Sequence, residues 1–561
     1  MRIRPPRPAR GWGTRSVGLA AALAAAAVAC GGGPGCRPAS RPNALAGEPA
    51  DTGLRRAEIV FTTGLGGYIE PCGCQTKPLG GLPRLASLLG PGSEARILVD
   101  AGQLLLPVEP VDELTRPQHL EKARLLARAY RRLGVAAINL GPTDLVEGVE
   151  LLSSMQAEGA VPFVSANVRP RGEAGPEVAR SFVRRVGGIR IGLTGVAIPE
   201  AVAEASDGVA ALEIGPALAA EVRALGAAGA EVVIVLAQVP DADAEALARA
   251  VPDIDVILRA PGSPIDRPPS LPRQVDGVVI AEAGRQGQYA GRLRVVLGER
   301  REGPLPLHDA GARAQAERAR LERKIAALER EASRLELEPR TRAAAEARRR
   351  LVRTLEARLT QPVEESAPPS GPHLAVRLVA LDDAVPEDDA TGRLLSAYYQ
   401  KLRAMNVARV DPTACAVASD DAPRFVGNAP CEACHAEAFP SWRRSKHALA
   451  WETLTDAGKH YDLTCVGCHS VGFRTPGGYC SLGEVEPFVD VGCESCHGPG
   501  SAHVAAQTAE SIDRADTVAA CEGCHVPEHS DGFVYEVYRA RIVAPGHGAP
   551  MPGEGGAEPA E

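Results

Sequence analysis

Between residues 431 and 525 one five-residue pattern occurs four times: Cys431-Glu-Ala-Cys434-His435, Cys465-Val-Gly-Cys468-His469, Cys493-Glu-Ser-Cys496-His497 and Cys521-Glu-Gly-Cys524-His525. Two thiols three residues apart, with an imidazole directly behind them, form the attachment pattern of a c-type haem. The thiols join the porphyrin vinyl groups and the His sits under the iron as its proximal ligand. Zinc ribbons also use Cys-x-x-Cys pairs, but they do not require His after the second Cys. A thioredoxin-like pair occurs once, near a βαβ unit, not four times in a loop-rich tail. With only 12 His in 561 residues, four such placements point to four covalently attached haem c groups. The expected attachment residues are Cys431, Cys434, Cys465, Cys468, Cys493, Cys496, Cys521 and Cys524; the expected iron ligands are His435, His469, His497 and His525.

Four haems constrain the fold of the segment that holds them. Residues 425–550 are too few to bury an ordinary core around four such groups. The porphyrins must therefore pack against one another and supply the apolar interior, on a mostly helical scaffold. Methionine is almost absent, and only Met551 lies near this region, so His–Met ligation is available once at most. SKHALAWETL (445–454) reads as a helix carrying His447, GPGSAHV (498–504) carries His503, and APGHGAP (544–550) carries His547. These three are the expected distal ligands. His460 and His529 sit in polar stretches and read as solvated loop residues. Three distal ligands for four irons leave one position open or weakly held.

The amino terminus agrees with this chemistry. Arg2, Arg4, Arg7, Arg10 and Arg15 precede an apolar, small-residue run at 16–29, which reads as an export signal (1–29) too short for a comfortable membrane span. Ala27-Val28-Ala29 is followed by Cys30, which is the expected lipid-anchor site of an exported lipoprotein, periplasmic or outer-membrane associated. Residues 31–56 are rich in Gly, Pro and Ala and read as a tether. The net charge of −8 argues against nucleic acid as a partner. Of 14 Cys, Cys36, Cys72, Cys74, Cys415 and Cys480 have no assigned role. Some of them can pair in an oxidising compartment, and the sequence does not say which.

Residues 57–300 alternate short apolar runs with helical patterns. Strands are expected in EIVFTTG (58–64), RILVDAG (96–102), AAINLGP (136–142), PFVSANV (162–168), IRIGLTGVA (189–197), EVVIVLAQ (231–238) and DVILRA (255–260). Helices are expected at 119–135 and 216–230. Such alternation predicts an α/β domain with buried strands. With aromatics at only 4 %, its core must be aliphatic. Glu70-Pro71-Cys72-Gly73-Cys74 follows the first strand. Two thiols there suit a soft metal or redox exchange, or simply a small disulfide or inert turn.

The order TTGLGGYIEP (62–71), GGLPRLASLL (80–89), VDAGQ (99–103), NLGPTDL (139–145) and VPFVSANV (161–168) resembles the metallophosphatase (calcineurin-like) domain of bacterial 5′-nucleotidases. That resemblance implies an α/β sandwich. In the family, Asp, Asn and His hold two metal ions; here Gly64, Gly66, Gln103, Pro142, Thr143, Gln238, Pro261 and Ser263 stand at those places, and only Asp100 retains a charge. Glycine and proline side chains offer no ligand, so the domain is expected to lack the phosphatase metal site, and no catalytic residue is assigned. His119 is the one His between 57 and 300, and it lies outside every motif.

Residues 312–361 are rich in Ala, Glu, Arg and Leu. Leu321, Ile325, Leu328 and Leu335, then Leu351, Leu355 and Leu359 after Pro339, predict an antiparallel helical hairpin or coiled coil. It acts as a spacer or as a dimerisation arm. A connecting segment (373–420) follows, with a strand-like HLAVRLVAL (373–381) and an amphipathic helix at 391–407.

In the tail, KHALAWETL (446–454), YDLTCVGCHSVGF (461–473), PGGY (476–479), VGCESCHGPGSAH (491–503) and PGHG (545–548) resemble the tetrahaem cytochrome c five-five-four family, which accepts electrons from hydroxylamine oxidoreductase. The resemblance implies a helical haem scaffold, bis-His irons and one five-coordinate haem. The expected function is electron transfer between redox donor and acceptor proteins. Two alternatives remain: an oxidoreductase acting on a small nitrogen or oxygen species at an open haem, and a hydrolase with an accessory cytochrome.

Overall fold

The computed structural model describes residues 53–543, apart from 72–77, 160, 173–174, 262–268, 300, 302, 338, 360–368, 410–414, 418, 420–421, 481, 483–486, 514–516, 527–528 and 531. The export segment, Cys30, Cys36, the tether up to residue 52, Cys72, Cys74, Ser263 and His547 lie outside the described residues, and the last two tether residues, Arg55 and Arg56, open the first strand.

Buried aliphatic runs become strands because β-branched and apolar side chains pack on a pleated surface. In chain order the strands are β1 (Arg55–Thr62), β2 (Arg96–Asp100), β3 (Val135–Asn139), β4 (Phe163–Val164), β5 (Val168–Pro170), β6 (Val178–Ala179), β7 (Ser181–Val186) and β8 (Ile189–Ala197). They continue as β9 (Val209–Ala211), β10 (Val232–Gln238), β11 (Val256–Ala260), β12 (Arg273–Val275), β13 (Val278–Ala281), β14 (Tyr289–Leu297), β15 (Leu307–His308) and β16 (His373–Ala380). Two sheets result, ordered β15-β16-β14-β1-β2-β3-β4-β6 and β12-β13-β11-β10-β8-β7, with a small β5-β9 ribbon. β1, β2 and β3 run parallel, as do β8, β10, β11 and β13.

Side-chain alternation along each strand divides the apolar residues into three layers. Ile59, Phe61, Ile191, Leu193, Ile234 and Leu236 fill the space between the sheets. Val60, Leu98 and Ile138 face outward, towards α1 (Leu82–Leu89), α2 (Arg116–Arg132) and α3 (Val149–Ala157). Val233, Val235 and Ile257 face the other way, towards α5 (Ile214–Ala227) and α6 (Asp241–Ala250), whereas the short α4 (Pro199–Ala205) packs its Val202 into the first outer layer. The result is an α/β/β/α sandwich with a largely aliphatic interior.

The first sheet does not end near residue 300. β16 pairs with β14 over eight positions, so the sandwich is completed only after α7 (Ala310–Leu335) and α8 (Arg342–Leu359). These two helices form the expected hairpin as an excursion from the sheet. Leu321, Ile325, Leu328, Val352, Leu355 and Leu359 make its seam. Val352 occupies the place expected for Leu351, which is 40 % exposed. α9 (Asp389–Arg409) returns to the sandwich, where Leu395, Tyr398 and Leu402 join the outer core.

Beyond α9 the chain turns into short helices: α10 (Ala429–Glu432), α11 (Ala438–Arg443), α12 (Ala450–Asp456), α13 (Leu463–His469), α14 (Cys493–His497), α15 (Ser501–Ala506), α16 (Val518–Glu522) and α17 (Tyr535–Ile542). Their main protein core is small: Trp451, Leu454, Leu463, Val466, Tyr479, Leu482 and Val489. Cys415 and Cys480 form a disulfide with Cα atoms 5.8 Å apart, which ties the connecting segment to this region. Among the described residues no helix is long and apolar enough to cross a membrane.

Candidate haem sites

Each motif lies on or beside a short helix, and each helix has a local cause. Asp462 caps α13 by accepting from the Thr464 amide at 3.0 Å, and Thr517 caps α16 by accepting from Ala520 at 3.2 Å. Such caps satisfy amides that have no partner inside the helix. A helical turn then puts residues three apart on one face, so both thiols of a motif point the same way. In the first and fourth motifs the His amide bonds back to the first Cys carbonyl, at 2.9 Å (His435) and 2.8 Å (His525).

The imidazoles are oriented. His469 Nδ1 lies 2.6 Å from Ala450 O, His497 Nδ1 3.0 Å from Asp513 O, His503 Nδ1 2.9 Å from Thr508 O and His525 Nδ1 2.9 Å from Ser530 Oγ. A donor bond from Nδ1 fixes the tautomer that leaves Nε2 with a free lone pair, the form a metal-binding imidazole needs.

Two pairs of rings meet. The centroids of His435 and His503 are 6.1 Å apart, and those of His447 and His525 are 6.2 Å apart. A metal between two imidazoles, each bound at about 2.0–2.1 Å with roughly another 1.1 Å from nitrogen to ring centre, requires about 6.3 Å. Both separations fit one iron. Two of the three expected distal His thus lie near a motif His: His503 beside His435 and His447 beside His525. His447 lies in a 3-10 turn, Lys446–Leu449, ahead of α12, rather than inside the helix expected there. Ring stacking on Phe533 at 4.6 Å and an edge contact from Tyr538 at 5.3 Å hold His525. His460, expected to be solvated, instead packs on Tyr461 at 4.1 Å.

The thiols also meet across motifs. Cys431 lies beside Cys493 and Cys468 beside Cys524, each pair close enough to couple in ionisation. The first motif thus neighbours the third, and the second the fourth. Two polar groups that no motif announced hold the first pair together. Glu494 is buried and accepts from Val426 (2.9 Å), Gly427 (2.7 Å) and Gly500 (2.7 Å). Asn428 Oδ1 accepts from the Cys493 amide at 2.9 Å. Because Gly500 precedes α15, the Glu494 carboxylate joins the His503 helix to the approach of the first motif. Nothing in the sequence flags Glu494, which occupies a variable position of its motif. Asp462, by contrast, has a legible signal: an Asp just ahead of a helical run.

The carboxyl edge of the sandwich carries different chemistry. A small cleft is lined there by Gly64, Gly66, Tyr68, Gln103, Pro261 and Arg285, among others. Asp100 turns away from it, accepting from Thr62 Oγ1 (2.6 Å) and Gly102 N (2.9 Å), and burial pushes its carboxyl up to about 8. Asp144, not singled out from sequence, is a loop tie: it accepts from Gln103, Leu105 and Gly141 amides at 2.8–3.0 Å. A two-metal site needs several anionic or imidazole donors. Gly64, Gly66, Gln103, Pro142, Thr143, Gln238 and Pro261 do not supply them, so the residues do not fit such a centre. Among the described residues no group of three or more His, Cys, Asp or Glu is arranged for a metal ion.

Comparison with known proteins bears on the haem region. Residues 430–498 match the family described as cytochrome c554 and c-prime. The C-terminal part resembles cytochrome c554. Cytochrome c-554 of Nitrosomonas europaea is 41 % identical over 95 residues, 14 % of this chain and 40 % of that protein; the chain thus spans about two fifths of its relative's length. Among solved structures, the NAD nucleotidase of Haemophilus influenzae aligns at 18 % identity and TM-score 0.37, covering 44 % of this chain and 48 % of that one. The 5′-nucleotidase precursor of Thermus thermophilus aligns at 17 % identity and TM-score 0.43, covering 77 % and 73 %. None of those proteins' activities carries over to this chain at such values.

Proposed function

We propose that the chain is an exported tetrahaem c-type cytochrome that transfers electrons, anchored by lipid at Cys30 and fused to a phosphatase-like sandwich without phosphatase chemistry. The observation that carries the proposal is the pair of His–His separations, 6.1 and 6.2 Å, each joining a motif His to a His outside the motifs. Haem c supplies the one-electron chemistry. The chain supplies eight thiols for attachment, His435, His469, His497 and His525 as proximal ligands, and His503 and His447 across two of the irons. His547 remains the third proposed distal ligand. Imidazole on both sides favours a low potential relative to His–Met, because thioether stabilises the ferrous state. The thiol contacts pair motif one with three and motif two with four, and redox proteins are the partners at the ends of the electron path.

The test is the mass and haem content of the purified chain. Four haems per polypeptide, lost singly when each Cys pair is replaced by Ala, is the expected result. Fewer than four, or zinc in their place, would refute it.

A further inference from the structure

The sandwich is joined to the haem region at one place in particular, the approach to the second motif. Lys459 pairs with Glu70 at 2.9 Å, and Tyr399 of α9 hydrogen-bonds the same Glu70. Gln118 of α2 donates to Asp462 at 2.9 Å and accepts from the Leu463 amide at 3.1 Å. Asn406 of α9 bonds both Gln118 (3.0 Å) and Tyr461 O (2.8 Å). Arg403 lies over the Tyr461 ring at 5.0 Å, and Leu114, from the loop before α2, packs into the core around Leu463 and Val466. Gln118, Asp462 and Asn406 are all at most 4 % exposed.

This network is a satisfied, buried polar one, the kind that fixes a single arrangement of the elements it joins. It converges on Asp462, which caps the helix bearing Cys465, Cys468 and His469. We infer that the sandwich forms the wall of the second haem site, with Gln118 and Asp462 as positioning residues that set the reduction potential of that haem. Asp462 keeps its carboxylate charged despite burial, aided by Lys122 and its own hydrogen bonds. A fixed negative charge near the iron of that haem would stabilise the ferric over the ferrous state, the more so where water is excluded. His119, one residue from Gln118, faces the same carboxylate; burial and Lys122 push it down to about 4, so it is neutral at working pH and leaves the Asp462 charge in place.

The inference rests on the tetrahaem reading, and one experiment separates the two. Spectroelectrochemical titration is run on the full holoprotein, on Asp462→Asn and on Gln118→Leu. Asn is as good a helix cap as Asp, so D462N removes the charge and keeps the helix. The expected result is an upward shift of one midpoint out of four in D462N, and a change confined to the same centre in Q118L. Arg334→Ala, at the exposed 2.9 Å contact of Arg334 with Glu536, should move none. Four unmoved midpoints in D462N, or four that move together, would overturn the inference. A wild-type chain without four haems would instead overturn the underlying reading.

Discussion

At the residue scale, the decisive feature is what stands opposite each imidazole. The ring centroids of His435 and His503, and of His447 and His525, are 6.1 and 6.2 Å apart, a separation that one iron held by each pair would give. Replacing His503 by Ala should convert one low-spin centre into a high-spin one that binds cyanide or nitric oxide rapidly, and His447→Ala should do the same at another centre. Electron paramagnetic resonance of the two variants checks both; unchanged low-spin signals would mean that the pairs are not axial ligands. A second residue prediction concerns Asp100. Its pKa is raised from 3.8 to about 8 by burial, so the folded state holds a proton that the unfolded state has already released. Stability from this group is full below about pH 4 and falls as pH rises towards 8. Asp144, raised to about 6 for the same reason, acts in the same direction. Asp100→Asn should therefore flatten the decline in melting temperature between pH 4 and 8, measured by thermal denaturation. The motif residues were legible because haem attachment demands a fixed local spacing. Their pairing was not, since His435 and His503 meet through helices far apart in sequence, and Glu494, which joins those helices, has no local signature.

At the element scale, the strands buried on both faces could be read from their aliphatic runs: β8 (Ile189–Ala197) coincides with the expected segment. β7, β12, β13 and β14 are not legible from sequence, because short or charge-interrupted runs such as SFVRRV and YAGRLRVVL dilute the apolar pattern. The return of β16 to the first sheet after the hairpin was equally hidden, because partner choice between strands depends on the whole sheet. In the hairpin's seam Val352 takes the place expected of Leu351, while Leu355 and Leu359 keep theirs, since residues 351 and 352 both lie within one turn of Leu355. The Cys415–Cys480 bridge, unassignable from sequence, closes a separation of 65 residues. Its removal in Cys415→Ser should lower stability by about 2–4 kcal/mol, read from denaturant unfolding under non-reducing conditions. An unchanged midpoint would mean that the bridge does not constrain the unfolded chain.

At the scale of the whole molecule, two architectures share one polypeptide and divide its chemistry. The sandwich has a conventional aliphatic interior but offers glycines, prolines and amides where a metal centre would need charge. The haem region has the opposite balance: a small protein core, and thiols and imidazoles converging from helices too short to be stable alone. Haem attachment should therefore govern its folding, while the sandwich holds its second motif in place through Gln118, Asn406 and Glu70. The most direct measurement is a coulometric and spectroscopic redox titration of the purified, full-length holoprotein. Reversible uptake of four electrons per chain, all at low potential, is the predicted result. Uptake of fewer than four, or reduction that cannot be reversed, would contradict the assignment of this chain as a tetrahaem electron carrier.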